Sequence, residues 1–163
     1  MLKPVQGAPE IPVSVTIQKP GSWTEINDKY KTFSGKAVYS VSFDVPSELL
    51  SGNGFLLDLG EVRETAKVKI NGKELGLVWC LPNQIIIPEG IIIEKNTIEI
   101  EVTNLSFNRV IQLDKEGGNW KNYHEINFVN IRYQPYDASN KKPEDSGLIS
   151  EIYLIPVTIK EGM

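Results

Sequence analysis

One short segment combines aromatic and hydrogen-bonding side chains in a mixture that suits carbohydrate recognition. Residues 119–124 read Asn-Trp-Lys-Asn-Tyr-His. A pyranose has an apolar C–H face that stacks on an aromatic ring and a rim of hydroxyl groups that amide, imidazole and ammonium groups can hydrogen-bond. Trp120 is the candidate platform and Tyr123 its flank, with Asn119 and His124 as hydroxyl partners. The alternative is that Trp120 covers one end of the fold and Tyr123 begins a strand.

A second polar pair, Asn108-Arg109, completes the set of candidate carbohydrate-binding residues. A guanidinium group there could bind a carboxylate, including that of an acidic sugar. The alternative is structural, since an arginine near the edge of a sandwich pairs with a carboxylate of the domain or with loop carbonyls. Both interpretations stay open at this point.

Catalytic chemistry is not expected. Glycoside hydrolysis needs two carboxyl groups about 5–10 Å apart across a cleft, and the pairs Asp114/Glu116 and Glu61/Glu64 are expected to be solvated surface acids. His124 is the only histidine, which excludes a multi-histidine metal site. A triad through it lacks a nucleophile motif such as Gly-x-Ser-x-Gly. We therefore predict a non-enzymatic chain.

No cofactor is expected either, with one alternative. The polar stretch Gln134–Ser146 contains Asp137, Asn140 and Asp145 as oxygen donors of the type that calcium prefers, although their spacing matches no known calcium loop. The single cysteine, Cys80, excludes an intrachain disulfide.

The composition indicates one globular domain over residues 1–163, with its core at about 11–159. The chain has a net charge of -4 and 40% hydrophobic residues, and no Lys/Arg block suggests a nucleic-acid partner. The longest apolar runs, Ile85–Ile87 and Ile91–Ile93, fall far short of the roughly 20 residues that a membrane-spanning helix needs. We expect neither nucleic acid nor membrane as a partner.

A period of two recurs along the chain and predicts half-buried β-strands. From Ala37 to Val45, alternate residues are apolar and share one face, and the same alternation recurs over Ala66–Ile70 and Ile98–Val102. Further strands are predicted from their β-branched and aromatic content: Val13–Ile17, Phe55–Leu59, Leu75–Trp79, Gln84–Ile87, Ile126–Tyr133 and Ile152–Ile159. The fold class is therefore all-β, an antiparallel sandwich or barrel.

Turns and loops punctuate these strands. Asn71-Gly72 predicts a type I′ hairpin, because that turn needs positive φ at both central residues. Gln134–Ser146 is predicted to be a long surface loop. No stretch is expected to form three turns of amphipathic helix, and a single short turn is expected near Ser47–Leu50.

Several stretches together resemble a known family. Phe33–Tyr39, Leu57–Val62, Ala66–Gly72 and Gly76–Trp79 are similar to the galactose-binding-like jelly-roll domain of glycoside hydrolase family 2, and most of all to the terminal sandwich of family 106 rhamnosidases. Asn96–Asn104, Asn108–Ile111 and Ser146–Ile149 continue the pattern in order. Cys80–Asn83 and Leu113–Tyr123 depart from it, the latter as a loop particular to this chain. Trp23 and Trp79 fall within scaffold segments and are expected to be packing residues.

The resemblance implies an accessory module, because these enzymes carry their catalytic carboxylates on a large separate domain. Two hypotheses follow: weak carbohydrate binding through loop aromatics, to plant or bacterial polysaccharide for instance, or a structural role that supports a catalytic domain or mediates protein contact. The structural role predicts an apolar surface left by a missing neighbour. The compartment is open, and it would be periplasmic or extracellular if the parent glycosidase is secreted.

Overall fold

The computed structural model describes residues 1–50, 54–118, 120–121, 134 and 136–158. The strands in that part of the chain are β1 (Leu2–Ala8), β2 (Ser34–Asp44), β3 (Gly54–Asp58), β4 (Val62–Arg63), β5 (Thr65–Ile70), β6 (Lys73–Val78), β7 (Gln84–Ile87), β8 (Lys95–Thr103), β9 (Gly147–Leu148) and β10 (Tyr153–Val157). The α-helices are α1 (Asp28–Thr32) and α2 (Phe107–Glu116), and short 3-10 turns lie at Trp23–Glu25 and Ser47–Leu49.

A five-stranded antiparallel sheet in the order β1-β2-β8-β5-β6 forms one layer. Its inward face carries the alternate apolar residues that the sequence predicts, and Ala66, Val68 and Ile70 on β5 are completely buried. The hairpin between β5 and β6 is also confirmed, because Asn71 and Gly72 adopt φ values of 52° and 78°, the signs that a type I′ turn requires.

A three-stranded antiparallel sheet in the order β10-β3-β7 forms the second layer. Phe55 and Leu57 on β3 and Ile87 on β7 point between the layers and are buried. The short pair β4-β9 makes a third, two-stranded sheet. The antiparallel β-sandwich is thus confirmed.

The N-terminal region differs from the prediction. Val13–Ile17 is not a strand, since only Val15 forms a bridge, exchanging backbone hydrogen bonds of 2.8 and 2.9 Å with Leu2. The regular strand lies earlier, at β1, where Leu2 is fully buried although it precedes the expected start of the core at residue 11.

Helix α2 extends into Leu113–Tyr123, which was predicted to be a loop, although its ten residues stay just short of the three turns that the prediction excluded. Its ten residues end at Glu116, and Gly117 follows with φ 68° and donates its N–H to the Asp114 carbonyl, a common helix ending. Asn108 and Ile111 form its buried face.

The polar stretch before β9 has no regular structure at the positions described, as expected, although Ala138 within it is fully buried. The predicted strand Ile126–Tyr133 lies outside the described residues. Within the described part of the chain, neither helix has the length and apolar character needed to cross a membrane.

Candidate functional site

Asp114, near the end of α2, organises the ring of Trp120. One carboxylate oxygen accepts a hydrogen bond of 2.8 Å from the indole Nε1 of Trp120, and the other accepts one of 2.7 Å from the backbone N–H of Ala138. The Asp114 side chain is only 5% exposed. The expectation that Asp114 is a solvated surface acid is therefore wrong, because protein donors replace water around its carboxylate.

Lys121 adds a cation to this group. Its Nζ lies 3.2 Å from Asp114 Oδ1 and 5.4 Å from the centre of the Trp120 ring, and it also donates to the carbonyl of Tyr136. Burial raises the pKa of Asp114, but hydrogen bonds from Ala138, Trp120 and Lys121 outweigh that effect and hold it below its usual value. We call Asp114, Trp120, Lys121 and Ala138 the Trp120 cluster.

The cluster fixes a half-buried aromatic ring at the end of a helix. Because the indole N–H is already used, Trp120 can offer a ligand ring surface but no hydrogen bond. A ring held in this way loses little conformational entropy on stacking. The arrangement suits an apolar ligand face, such as the C–H face of a sugar.

Asn108 and Arg109 face other partners. Asn108 is 3% exposed and exchanges two hydrogen bonds with the backbone of Glu144, of 2.7 and 2.8 Å. Arg109 donates to Gln112 on the next turn of α2. The partner of Arg109 is an amide oxygen on its own helix rather than the carboxylate or loop carbonyl of the structural alternative. No described hydrogen bond or ring contact joins Asn108 or Arg109 to Trp120.

The remaining predicted site residues, Asn119, Tyr123 and His124, lie outside the described residues. Of the suggested calcium ligands, Asp137 accepts a hydrogen bond from the N–H of Ser139. Among the residues that the structure describes, no group of three His, Cys, Asp or Glu side chains is close enough to hold a metal ion. Glu61 forms a salt bridge of 2.6 Å with Arg63, an exposed pair that adds little stability.

A buried polar network that the sequence did not reveal connects β2, β9 and the turn at Trp23. The hydroxyl of Tyr39 accepts hydrogen bonds from the indole of Trp23 and from the N–H of Leu148. Burial raises the pKa of Tyr39 to about 12, so this phenol stays neutral at physiological pH. Trp23 is fully buried, which confirms it as a packing residue.

Trp79 is the reverse case. It was expected to pack, but it is 70% exposed, because β6 ends at Val78 and the chain then turns away. Leu81, two residues further on, is 82% exposed. The likeness of Gly76–Trp79 to a scaffold segment could not show that the burial of this strand stops at Val78.

An apolar cleft lies between the two layers in the described part of the fold. On the inward face of β2, Ala37 and Tyr39 are buried, but Val41 is 53% exposed although it shares their face. The cleft has a volume of about 490 Å³. Its floor and walls include Val41, Phe43, Ile98, Ile100, Ile152 and Leu154.

Comparison with known proteins places this fold among carbohydrate-active enzymes. No family model matches the chain. A protein of Formosa agariphila named "Putative beta-glucuronidase" is 40% identical over 96 residues, which is 58% of this chain and 8% of that protein. A rhamnosidase from Novosphingobium sp. PP1Y superposes with a TM-score of 0.71 and 26% identity over 96% of this chain and 15% of the enzyme.

A β-glucuronidase from Bifidobacterium dentium, solved with coumarin-3-O-glucuronide, shares the fold at a TM-score of 0.50 and 22% identity, covering 63% of this chain and 20% of that one. This chain therefore spans a small fraction of the relatives that it matches. The resemblance read from the sequence is confirmed: the chain is a β-sandwich domain of the type that occurs in glycoside hydrolases.

Proposed function

We propose that this chain is a non-catalytic accessory domain of a larger glycoside hydrolase and that it packs against another part of that protein. The observation that carries the proposal is the uncovered core face of β2, where Val41 is 53% exposed beside buried Tyr39. The hydrolases that it resembles are many times longer than this chain, so their domains have neighbours.

The physical argument rests on packing. Protein interiors are close-packed, whereas here a cleft of about 490 Å³, lined mainly by apolar side chains, opens to solvent beside the core. Contiguous apolar surface on a soluble domain marks a place where something binds. A neighbouring part of the same polypeptide would cover Val41 and Phe43 without any loss of translational freedom.

Cysteine labelling tests this proposal directly. In a Cys80→Ser background, which removes the exposed native thiol, Val41→Cys is expected to react rapidly with a maleimide in the 163-residue chain. In the longer native polypeptide that carries this sequence, the same thiol is expected to be protected. Val13→Cys is the control, because Val13 is 78% exposed and lies outside the cleft. Equal labelling of Val41→Cys in both proteins would contradict the proposal.

The Trp120 cluster supports a second candidate function, weak carbohydrate binding. Titration calorimetry with rhamnose, galactose and polysaccharides of plant and bacterial origin tests it. Trp120→Ala is expected to abolish sugar binding, because the sugar can no longer stack on the indole ring. Trp79→Ala removes an exposed indole elsewhere and is expected to leave sugar binding unchanged. If no sugar binds at millimolar concentration, the carbohydrate-binding proposal fails and only the structural role remains.

A further inference from the structure

We propose that the apolar cleft is a strand-addition site, which accepts an extended segment of polypeptide with apolar side chains at alternate positions. This inference rests on the proposed function, because the segment would come from the part of the larger protein that lies outside this chain. The proposed partner is an extended strand, and its proposed binding position is the edge of the smaller sheet.

The two layers of the sandwich are unequal. The larger sheet has five strands and the smaller one has three, in the order β10-β3-β7. Strand β7 contacts β6, so the smaller sheet begins above one edge of the larger sheet and reaches β10 before the other edge is covered. The cleft lies at this side, lined by β10 and by β2. One more strand beside β10 would lie over Val41.

Strand β10 is an edge strand of the smaller sheet among the residues that the structure describes. In the described part of the chain its ladder partner is β3, on one side only. An edge strand presents unpaired backbone N–H and C=O groups that can pair with an added strand. Pro156 lacks an N–H, which limits pairing towards the end of β10, but the residues of this region that line the cleft, Ile152 and Leu154, come before it.

The floor of the cleft matches the geometry of a strand. Val41 and Phe43 are two residues apart and face the same way, as do Ile98 and Ile100 on β8. Alternate side chains of an added strand project to one face at the same spacing, so they can enter the cleft while its other side chains face solvent. Lys19 and Glu151 lie at the rim and carry opposite charges.

A model peptide tests this site on the 163-residue chain. The probe is fluorescein-labelled Thr-Val-Thr-Val-Thr-Val-Thr, with two controls: a peptide of the same composition in which the three valines are contiguous, and the alternating peptide with N-methyl groups on its backbone. We expect the fluorescence anisotropy of the alternating peptide to rise and saturate as the chain is added. Neither control peptide should bind: the contiguous valines cannot all face the cleft, and N-methylation removes the backbone N–H donors of a β-ladder.

Variants of the chain locate the binding. Val41→Asp is expected to weaken binding by about tenfold or more, because it places a carboxylate against the apolar segment, whereas Val13→Asp, at another exposed valine, is expected to have no effect. Both substitutions are at exposed positions, and thermal unfolding checks that each variant folds.

Three results would overturn the inference. The first is no binding of the alternating peptide. The second is equal binding of the N-methylated peptide, which would make the cleft a pocket for small apolar ligands. The third is equal binding to the Val41→Asp variant, which would place the peptide away from the cleft. The labelling of Val41→Cys in the longer protein does not depend on any of these, so the two proposals fail separately.

Discussion

Gly147 occupies the tightest position in the buried network. Its φ is 106°, a value that favours glycine, and a Cβ atom there would overlap the indole Nε1 of Trp23 and the hydroxyl of Tyr39. Both rings are buried and hydrogen-bonded to each other, so neither can move aside without loss. The requirement for glycine at this position is therefore both conformational and steric.

We expect Gly147→Ala to lower the free energy of unfolding by about 3 kcal/mol, from backbone strain and overpacking together. Urea unfolding at pH 7 measures the change. Gly90→Ala is the matched control, because Gly90 also has positive φ, 82°, but open space around the added methyl group; it should cost only about 1 kcal/mol. Equal effects for the two variants would show that the contact with Trp23 and Tyr39 contributes nothing.

At the level of elements, the strands could be predicted where one face is fully covered. The alternation on β5 and β8 and the Asn71-Gly72 turn have local causes that a sequence displays. Helix α2 was missed although Phe107, Val110 and Ile111 have the spacing of one helical face, because ten residues around a polar pair give a weak signal. Strand β1 was missed because it contains Pro4 and Gly7 and buries only Leu2 and Pro4.

The candidate site was less predictable, for a physical reason. The sequence selected Trp120 by its residue type, but its partner Asp114 is six positions away on a helix that the pattern did not reveal, and Ala138 comes from a distant loop. Val41 and Trp79 are exposed because no distant part of the described fold lies over them. A local sequence pattern does not contain that information.

The position of the Trp120 cluster at the end of α2 makes a prediction about pH. Hydrogen bonds hold the pKa of Asp114 below the usual value of 3.8, so the carboxylate contributes stability above that pH and loses it as the pH falls through the folded-state pKa. In two-dimensional NMR, the indole N–H resonance of Trp120 should titrate with a midpoint below 3.8, and Asp114→Asn should remove this titration. Trp79, whose indole is exposed, is the internal control. A midpoint at or above 3.8 would contradict the hydrogen-bonding scheme.

At the scale of the whole molecule, the sandwich is complete on one side and open on the other. Every fully buried polar side-chain atom is paired among the described residues, including the indole N–H of Trp23 and the hydroxyl of Tyr39. The side with Val41 and Phe43 faces the cleft. The inward face of β2 therefore has two parts: Ala37 and Tyr39 are buried within this domain, whereas Val41 is exposed in the cleft.

This division predicts that one substitution changes stability in opposite directions in two proteins. In the 163-residue chain, Val41→Phe enlarges a side chain over open apolar surface and should raise the free energy of unfolding by up to about 1 kcal/mol through added burial. In the longer polypeptide proposed above, the same ring would occupy the volume assigned to the proposed neighbour, and overpacking should lower the unfolding temperature of the domain. Differential scanning calorimetry of both proteins measures the two signs.

Val13→Phe, at an exposed position outside the cleft, is the control and should change neither protein appreciably. Stabilisation by Val41→Phe in both proteins would mean that the cleft stays open in the complete polypeptide, and the accessory domain would then have to contact its neighbour elsewhere, with exposed Trp79 and Leu81 as the next surface to test. Stabilisation of the 163-residue chain together with destabilisation of the longer protein would place the contact with the neighbour at β2 and β10. At that contact the added ring of Val41→Phe meets empty space in the short chain and packed atoms in the longer protein.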